Sequence, residues 1–158
     1  MSTRDEAWPE GAPGWADLAV PDRHVARDFY VAVFGWEFDE GPAEMGCYTN
    51  CLKDGRMVAG IGEPPPGGEA PPPAWTTYIA VEDADRIADR ASKAGGTAMM
   101  PPMDVGDFGR MAVLSDPTGA VFGLWQAGTH RGAEGVNEPG AMVWNELMTR
   151  DVDAAKAF

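Results

Sequence analysis

The sequence predicts an α+β fold built from two paired βαβββ modules. Two observations lead to this prediction. Apolar segments of strand-like and helix-like period follow one another in the order strand, helix and three strands, and this order occurs twice. The two halves also match each other at an offset of 61 residues, which places Ala19 on Ala80. A repeated order with repeated residues indicates a duplicated module.

The first module is predicted from alternation and cap residues. Residues 14–20 alternate in polarity and predict a strand, and Asp22 is a suitable N-cap for a helix over 23–34. Gly35 is expected to end that helix because glycine adopts the left-handed conformation of a C-cap. Three further strands are predicted over 36–38, 46–53 and 56–62, the last two joined by the hairpin turn Asp54-Gly55.

The second module follows a Pro/Gly-rich connector over 64–73. A strand is predicted over 75–81 and a helix over 83–94, closed by Gly95-Gly96. Three more strands are predicted over 97–103, 109–115 and 120–126, with the turn residues Asp116-Pro117-Thr118-Gly119 before the last. At the offset of 61, Asp22 falls on Asp83 and Gly35 on Gly96, so cap residues recur with the elements.

A further repeat at an offset of 129 places Trp15 on Trp144, Asp22 on Asp151 and Phe29 on Phe158. It predicts a strand over 142–148, and then a helix that follows Asp151. We therefore expect four parts, which are a flexible leader over 1–13, a complete domain over 14–128 with modules 14–63 and 74–128, a linker over 129–140, and the start of a truncated second copy over 141–158.

Composition excludes several classes of protein. The 158 residues carry a net charge of −13, which argues against nucleic acid and anionic membranes as partners. No signal peptide is visible, and no apolar run approaches the roughly 18 residues of a membrane span. Cys47 and Cys51 would lie roughly 13 Å apart on one strand, too far for a disulfide. These features indicate a cytoplasmic protein.

Four local motifs are informative together, and they are Asp28-Phe29-Tyr30, Val33-Phe34-Gly35-Trp36, Ala94-Gly95-Gly96 and the stretch 114–122. These motifs resemble the vicinal oxygen chelate superfamily, which includes glyoxalase I, extradiol dioxygenases and the fosfomycin and bleomycin resistance proteins. The leading Pro13-Gly14-Trp15 and the second repeat are similar to a two-domain actinobacterial subgroup labelled glyoxalase or hydroxylase. The resemblance implies a cupped mixed β-sheet around a small-molecule cavity, with helices on its outer face.

The resemblance also implies four strand positions at which family enzymes hold a divalent metal through carboxylate, His or Gln side chains. Carried onto this sequence, those positions are Trp15, Ala59 or Gly60, Thr76 and Gly123. None of these is a usual ligand of a transition metal. The two histidines, His24 in the first helix and His130 in the linker, lie outside these positions. We therefore expect no metal and no cofactor.

Strand alternation divides the remaining strand residues between two faces. Leu18, Val20, Ile79, Val81, Phe122 and Leu124 are expected under the helices. The other face would form the cup, with Ala59 and Gly123 widening it, and this lining suits a flat organic ligand. Asp17 and Tyr78 are the candidate catalytic residues, for proton transfer. The candidate ligand-binding residues are Trp15, Asp17, Asn50, Met57, Thr76, Tyr78, Met99, Met111 and Trp125.

Four functions remain open on these grounds. The first is a metal-free domain that binds a small, aromatic or cationic molecule in the cup, and the second is a metal-independent enzyme such as a cyclase, isomerase or hydroxylase-like catalyst. The third is a glyoxalase I-like lyase, and the fourth is a structural or interaction domain. The apolar strand expected over 142–148 would be an unpaired edge, which predicts a homodimer or strand exchange.

Overall fold

The computed structural model describes residues 2–42, 46, 48–64 and 72–158, with the backbone alone for residues 2 and 3. The chain divides into two compact units. The first consists mainly of Ala16–Thr76 with Ala133–Val143, and the second of Glu6–Trp15, Thr77–Gly132 and Trp144–Phe158.

Each unit carries four strands of a mixed sheet. The strands and helices are β1 (Ser2–Thr3), β2 (Pro13–Ala19), α1 (Arg23–Phe34), β3 (Glu37–Glu40), β4 (Thr49–Lys53), β5 (Arg56–Gly62), β6 (Ala74–Ala80), α2 (Ala84–Lys93), β7 (Thr97–Val105), β8 (Gly109–Ser115), β9 (Val121–Ala127), β10 (Gly135–Val136) and α3 (Val152–Ala157). In the first unit the strands lie in the order β3-β4-β5-β2, and in the second in the order β6-β9-β8-β7. The pairs β2–β5 and β6–β9 are parallel, and the other neighbouring pairs within each unit are antiparallel. The predicted α+β fold of paired βαβββ modules is confirmed.

Local cap chemistry sets the limits of both long helices. The side chain of Asp22 accepts hydrogen bonds from the backbone N–H groups of His24 and Val25, which α1 would otherwise leave unpaired. Gly35 ends α1 with a φ of 65°, a conformation that glycine adopts without strain. Asp83 accepts from the N–H of Arg86 and begins α2 in the same way. The repeat of these caps explains why both helices form where the sequence predicts them.

Each unit has its own apolar core beneath its helix. In the first unit Leu18, Val20 and Ile61 pack with Ala26 of α1, and Cys51 and Ala59 belong to the same cluster. In the second unit the cluster contains Val81, Ala84, Ala88, Ala91, Ala112, Leu114 and Leu124, with Ile79 and Phe122 packed against it. The predicted helix-side residues are therefore confirmed.

Ala59 is a correction to the predicted cup lining. The parallel register pairs Asp17 with Gly60 and Leu18 with Ile61. Because side chains alternate along a strand, this register places Gly60 on the face of Asp17 and Ala59 on the opposite face, in the core beneath α1. The sequence alone does not set that register.

Strand β7, at the end of the second unit's strand order, is irregular. Its register against β8 shifts between Ala98 and Met100 and again between Met100 and Met103. Pro101 and Pro102 lie at the second shift, and proline lacks the N–H that a regular ladder requires. The irregularity moves the methionines of this strand away from the faces that simple alternation predicts.

The N-terminal residues are more ordered than the flexible leader that the sequence predicts. Ser2 and Thr3 pair with Val136 and Gly135 as β1 and β10. In the second unit, the Gly11 N–H donates to the Ala80 carbonyl, and the Ala80 N–H donates to the Ala12 carbonyl. Residues 2–3 and 11–12 are therefore tied to other parts of their units by backbone hydrogen bonds.

The strand predicted over 142–148 does not form, which corrects that prediction. Met142 makes an isolated bridge to Val136, and residues 143–148 have no strand assignment. A strand requires a neighbour to satisfy its backbone groups, and none of the described strands pairs with residues 143–148. The helix expected after Asp151 does form, as α3, with the Asp151 side chain accepting from the Ala154 N–H.

Two further sequence features lie partly outside the described residues. These are Cys47 and most of the Pro/Gly-rich connector. Within the described part of the chain, no helix has both the length and the apolar character needed to cross a membrane.

Candidate functional site

A row of polar residues crosses the first unit on the face away from α1. Asp17 of β2 and Asn50 of β4 both pair with Gly60, from opposite sides of β5. Residues paired across strands project from the same face, so Asp17 and Asn50 flank Gly60 on that face. Both side chains are half-buried. The structure therefore brings together two of the predicted ligand-binding residues.

Tyr48 occupies the space above Gly60. Its hydroxyl donates a hydrogen bond of 3.2 Å to Oδ2 of Asp17. A Cβ atom at Gly60 would lie 1.9 Å from that hydroxyl oxygen, so no other residue at position 60 leaves room for the phenol. The result is a carboxylate with a phenol bonded to it, and such a pair can accept a hydrogen bond or a proton from a ligand.

A second tyrosine lies over a glycine in the second unit. Tyr78 of β6 pairs with Gly123 of β9, just as Asp17 pairs with Gly60. A Cβ atom at Gly123 would lie 2.1 Å from Cδ1 of Tyr78. The ring of Tyr78 thus fills the volume that a side chain at position 123 would need.

Trp15 and Trp125 pack against His130 in the second unit. The imidazole makes edge-to-face contacts with both indoles, with centroid distances of 4.4 Å to Trp15 and 5.3 Å to Trp125. The Trp125 Nε1–H also donates to the backbone carbonyl of His130 at 2.9 Å. Trp15, Tyr78 and Trp125 are only 3%, 6% and 9% exposed, so these aromatic side chains are buried.

His130 is neutral at pH 7 in this surrounding. Burial lowers the pKa of His130 to about 4, because the charged imidazolium loses its hydration. Its Nε2 atom is buried, and it has no hydrogen-bond partner among the described residues. The residue that the sequence assigns to a linker is therefore part of an aromatic cluster.

The remaining predicted site residues lie at different places. In the second unit, Met111 pairs with Trp125 and therefore shares its face. Met99 falls at the irregularity of β7 and is 61% exposed, whereas Met100 and Met103 pair with Val113 and Met111. In the first unit, Thr76 is half-buried. Met57 is also half-buried, and its N–H donates to a carboxylate oxygen of Glu134.

The residues at the four family positions do not fit a divalent metal. In the first unit, Gly60 offers no donor and Tyr48 fills its space. In the second unit, Tyr78 does the same above Gly123, and Trp15 offers only an indole. The neutral hydroxyl of Thr76 is a weak ligand by itself. Among the described residues, no group of three or more His, Cys, Asp or Glu side chains could hold a metal ion.

Two nearby side chains of types that can bind metals, Glu63 and Cys51, are also unavailable for that role. Glu63 accepts hydrogen bonds from the backbone N–H and the guanidinium of Arg23. Cys51 is buried in the apolar core, and desolvation raises the pKa of its thiol to about 12, against a smaller opposing effect of Arg27. Cys51 is therefore neither a thiolate nucleophile nor a metal ligand at neutral pH.

Sequence reasoning missed Tyr48 and the role of His130. Tyr48 lies within the strand predicted over 46–53, where alternation places it on the face of Asn50, but the observed β4 begins only at Thr49. The glycines at positions 60 and 62 of β5 were a second signal for a bulky neighbour. His130 follows β9 in a Gly-bearing segment that has the composition of a linker. Its packing depends on Trp125, five residues away, and also on Trp15, which is distant in sequence.

The chain belongs to the Glyoxalase/Bleomycin resistance protein/Dioxygenase superfamily, whose sequence model matches residues 12–124. This match covers both βαβββ modules. It confirms the resemblance that the local motifs indicate.

Two curated relatives are similar to this chain over nearly its whole length. The chain is 47% identical over 161 residues to "Putative glyoxylase CFP32" of Mycobacterium tuberculosis, a match that covers 100% of this chain and 61% of that protein. It is 41% identical over 164 residues to "Anthracycline biosynthesis protein DauV" of Streptomyces sp. (strain C5), covering 94% of this chain and 58% of that protein. The chain thus spans about three-fifths of the length of these curated relatives.

Solved structures support the fold. Methylmalonyl-CoA epimerase from Mycobacterium tuberculosis matches with a TM-score of 0.52 at 18% identity, over 77% of this chain and 92% of that one. An extradiol ring-cleaving dioxygenase from B. fuscum matches with a TM-score of 0.54 at 19% identity, over 81% of this chain and 36% of that one. At these identities the likeness concerns the fold alone.

Proposed function

We propose that this domain binds a small aromatic molecule without a resident metal. The observation that carries the proposal is the residue set at the family's metal positions, where Tyr48 lies over Gly60 and Tyr78 over Gly123. A metal-dependent enzyme would need donor atoms where this chain has glycines and an indole. What the first unit offers a ligand instead is the polar group of Asp17, Tyr48 and Asn50.

The aromatic character of the ligand is supported by composition and by relatives. Tyr48 provides a ring beside a carboxylate, which suits a flat molecule with a polar edge. DauV and DnrV are named as anthracycline biosynthesis proteins, and anthracyclines contain fused aromatic rings. We therefore propose fused-ring aromatic compounds as the class of ligand.

Equilibrium titration of metal-stripped protein tests this proposal. The protein is dialysed against a chelator, its metal content is measured by mass spectrometry, and a panel of fused-ring quinones is then titrated while ligand absorption is followed. Saturable binding with one ligand per chain is expected. Binding that returns only after a divalent metal is added back would contradict the proposal.

A metal-independent enzyme is the second candidate, favoured by the hydrogen bond between Tyr48 and Asp17. A carboxylate held by a phenol can remove a proton from a carbon or hydroxyl group of a substrate. In that case Asp17→Asn would abolish turnover while ligand binding persists. Unchanged turnover in this variant would exclude Asp17 as the base.

The name glyoxylase borne by the mycobacterial relative suggests a third candidate, a glyoxalase I-like lyase. Its chemistry would require a metal that polarises the substrate oxygens. We expect no lyase activity toward a hemithioacetal substrate, with or without added divalent metal. Activity that rises with metal concentration would instead favour this third function.

A further inference from the structure

Tyr48 can approach Asp17 because Gly60 of β5 leaves space for its hydroxyl, while Gly62 lies beside its ring. A Cβ atom at Gly60 would lie 1.9 Å from the Tyr48 hydroxyl, and one at Gly62 would lie 3.4 Å from Cδ2 of the ring. Neither glycine has a positive φ, so the backbone does not require glycine at either position. Glycine in a strand interior lowers the stability of the strand. Here the close approach of Tyr48 offsets that loss.

Tyr48 is fixed at both ends. Its backbone carbonyl accepts a hydrogen bond of 2.8 Å from the N–H of Gly41, while its hydroxyl donates to Asp17 at 3.2 Å. The phenol therefore holds one carboxylate oxygen of Asp17 in a defined direction. Asn50 flanks the same position from β4, and its amide can both donate and accept.

The geometry points to Asp17, Tyr48 and Asn50 as a site that recognises a hydroxyl group on an aromatic ligand, with Tyr48 as the positioning residue for Asp17. This inference rests on the proposed function and specifies the ligand as a phenol or enol. A carboxylate accepts a hydrogen bond from such a hydroxyl, and charge-assisted bonds of this kind are stronger than neutral ones. A ligand without the hydroxyl would cover part of the carboxylate without offering it this additional hydrogen bond, which disfavours binding.

Two probes with the same ring system test the assignment in the metal-stripped full chain. These are 2,6-dihydroxyanthraquinone, whose hydroxyl groups have no ring carbonyl within reach, and unsubstituted 9,10-anthraquinone, each titrated by equilibrium dialysis. We expect the parent protein to bind the dihydroxy probe about 10-fold more tightly, which corresponds to about 1.4 kcal/mol. Asp17→Asn and Tyr48→Phe should each remove most of this preference.

A matched pair of glycine variants tests the positioning role separately. Gly60→Ala should displace Tyr48 from Asp17 and abolish the preference, because the new Cβ would overlap the hydroxyl. Gly62→Ala is the control, since its Cβ would meet the ring at an ordinary contact distance. The readout is the ratio of the two affinities, because a purely structural defect would weaken both probes equally. If Gly60→Ala does not fold, Tyr48→Phe provides the same ratio.

The outcomes separate the inference from the proposed function. Equal affinities of the parent protein for the two probes would overturn the inference and leave the proposed function intact. A preference that survives in Tyr48→Phe would overturn the positioning role of Tyr48. Binding of neither probe would overturn the proposed function for this ligand class, and the inference with it.

Discussion

At the scale of the residue, glycines lie at two of the strand positions to which the family resemblance assigns metal ligands, and a tyrosine ring fills the space above each of them. In the first unit the filling ring comes from Tyr48, which lies just before β4, the strand that pairs with β5 in a hairpin. In the second unit it comes from Tyr78, on the strand next to Gly123. Gly60 pairs with Asp17, and Gly123 pairs with Tyr78. Because Asp17 and Tyr78 match each other at the offset of 61, the two glycines occupy equivalent places in their units. The space above each glycine is thus filled by a tyrosine ring, but the two tyrosines come from different elements of their units.

His130 gives a prediction at this scale. Its pKa of about 4 lies below the ordinary value of 6.5, so the unfolded chain takes up the proton first as the pH falls. The contribution of neutral His130 is complete above pH 6.5 and is lost progressively between pH 6.5 and 4. The loss amounts to about 3 kcal/mol of unfolding free energy at most. Urea unfolding at a series of pH values should show this decrease.

The difference between the parent protein and His130→Phe isolates this effect from the titration of carboxylates. The variant keeps a ring against Trp15 and Trp125 but has no proton to gain. His24→Phe, at an exposed position of α1, is the matched control and should follow the parent. A His130→Phe variant with the same pH dependence as the parent would show that His130 is accessible to protons in the folded state.

At the scale of the element, helix limits follow from local chemistry. The helix predicted over 23–34 is observed as Arg23–Phe34, because its N-cap and its terminal glycine are both adjacent in sequence. Strand faces are less predictable. In β5 the partner register decides which residues face the core, and in β7 two prolines interrupt the alternation. Elements that depend on neighbours are therefore the ones that the structure corrects.

Asp22→Ala should destabilise the first unit through loss of the α1 cap. Two backbone N–H groups, those of His24 and Val25, lose their acceptor. The expected cost is about 1 kcal/mol of unfolding free energy, measured by urea titration. Asp28→Ala, in the exposed middle of the same helix, serves as the control and should change stability by less than ~0.5 kcal/mol. Equal effects of the two variants would contradict a capping role for Asp22.

At the scale of the whole molecule, the chain combines an acidic surface with two modules that each have their own core. The family shares this fold among proteins of different chemistry, so function depends on the site. The curated relatives are longer than this chain. Any activity of those full-length proteins therefore applies to this chain only as a proposal.

Metal removal should leave the stability of this molecule unchanged. An ion that binds only the folded chain raises the free energy of unfolding by an amount that grows with the logarithm of its affinity, and its removal lowers the melting temperature. Because the residues at the four family positions do not fit a metal, a chelator in excess should not shift the thermal unfolding midpoint. A lower midpoint that zinc or manganese restores would contradict this expectation.

Self-association through residues 142–148 is the last prediction. Trp144 and Met148 are 76% and 87% exposed, and large apolar side chains in water favour a partner. We expect concentration-dependent dimerisation in sedimentation velocity, weakened by Trp144→Ser combined with Met148→Ser. The control pair Val25→Ser and Val33→Ser, on α1, should leave association unchanged. A parent protein that is monomeric at all concentrations would contradict the prediction.

The sequence by itself determined the duplicated module, the helix limits and the absence of usual ligands at the family positions. These features depend on residue type and on local spacing, both of which are visible without a fold. Only the tertiary structure decided that Tyr48 reaches Asp17, that His130 packs between two tryptophans, and that Ala59 lies in the core. Those three facts depend on strand register and on contacts between residues far apart in the chain, which local patterns do not encode.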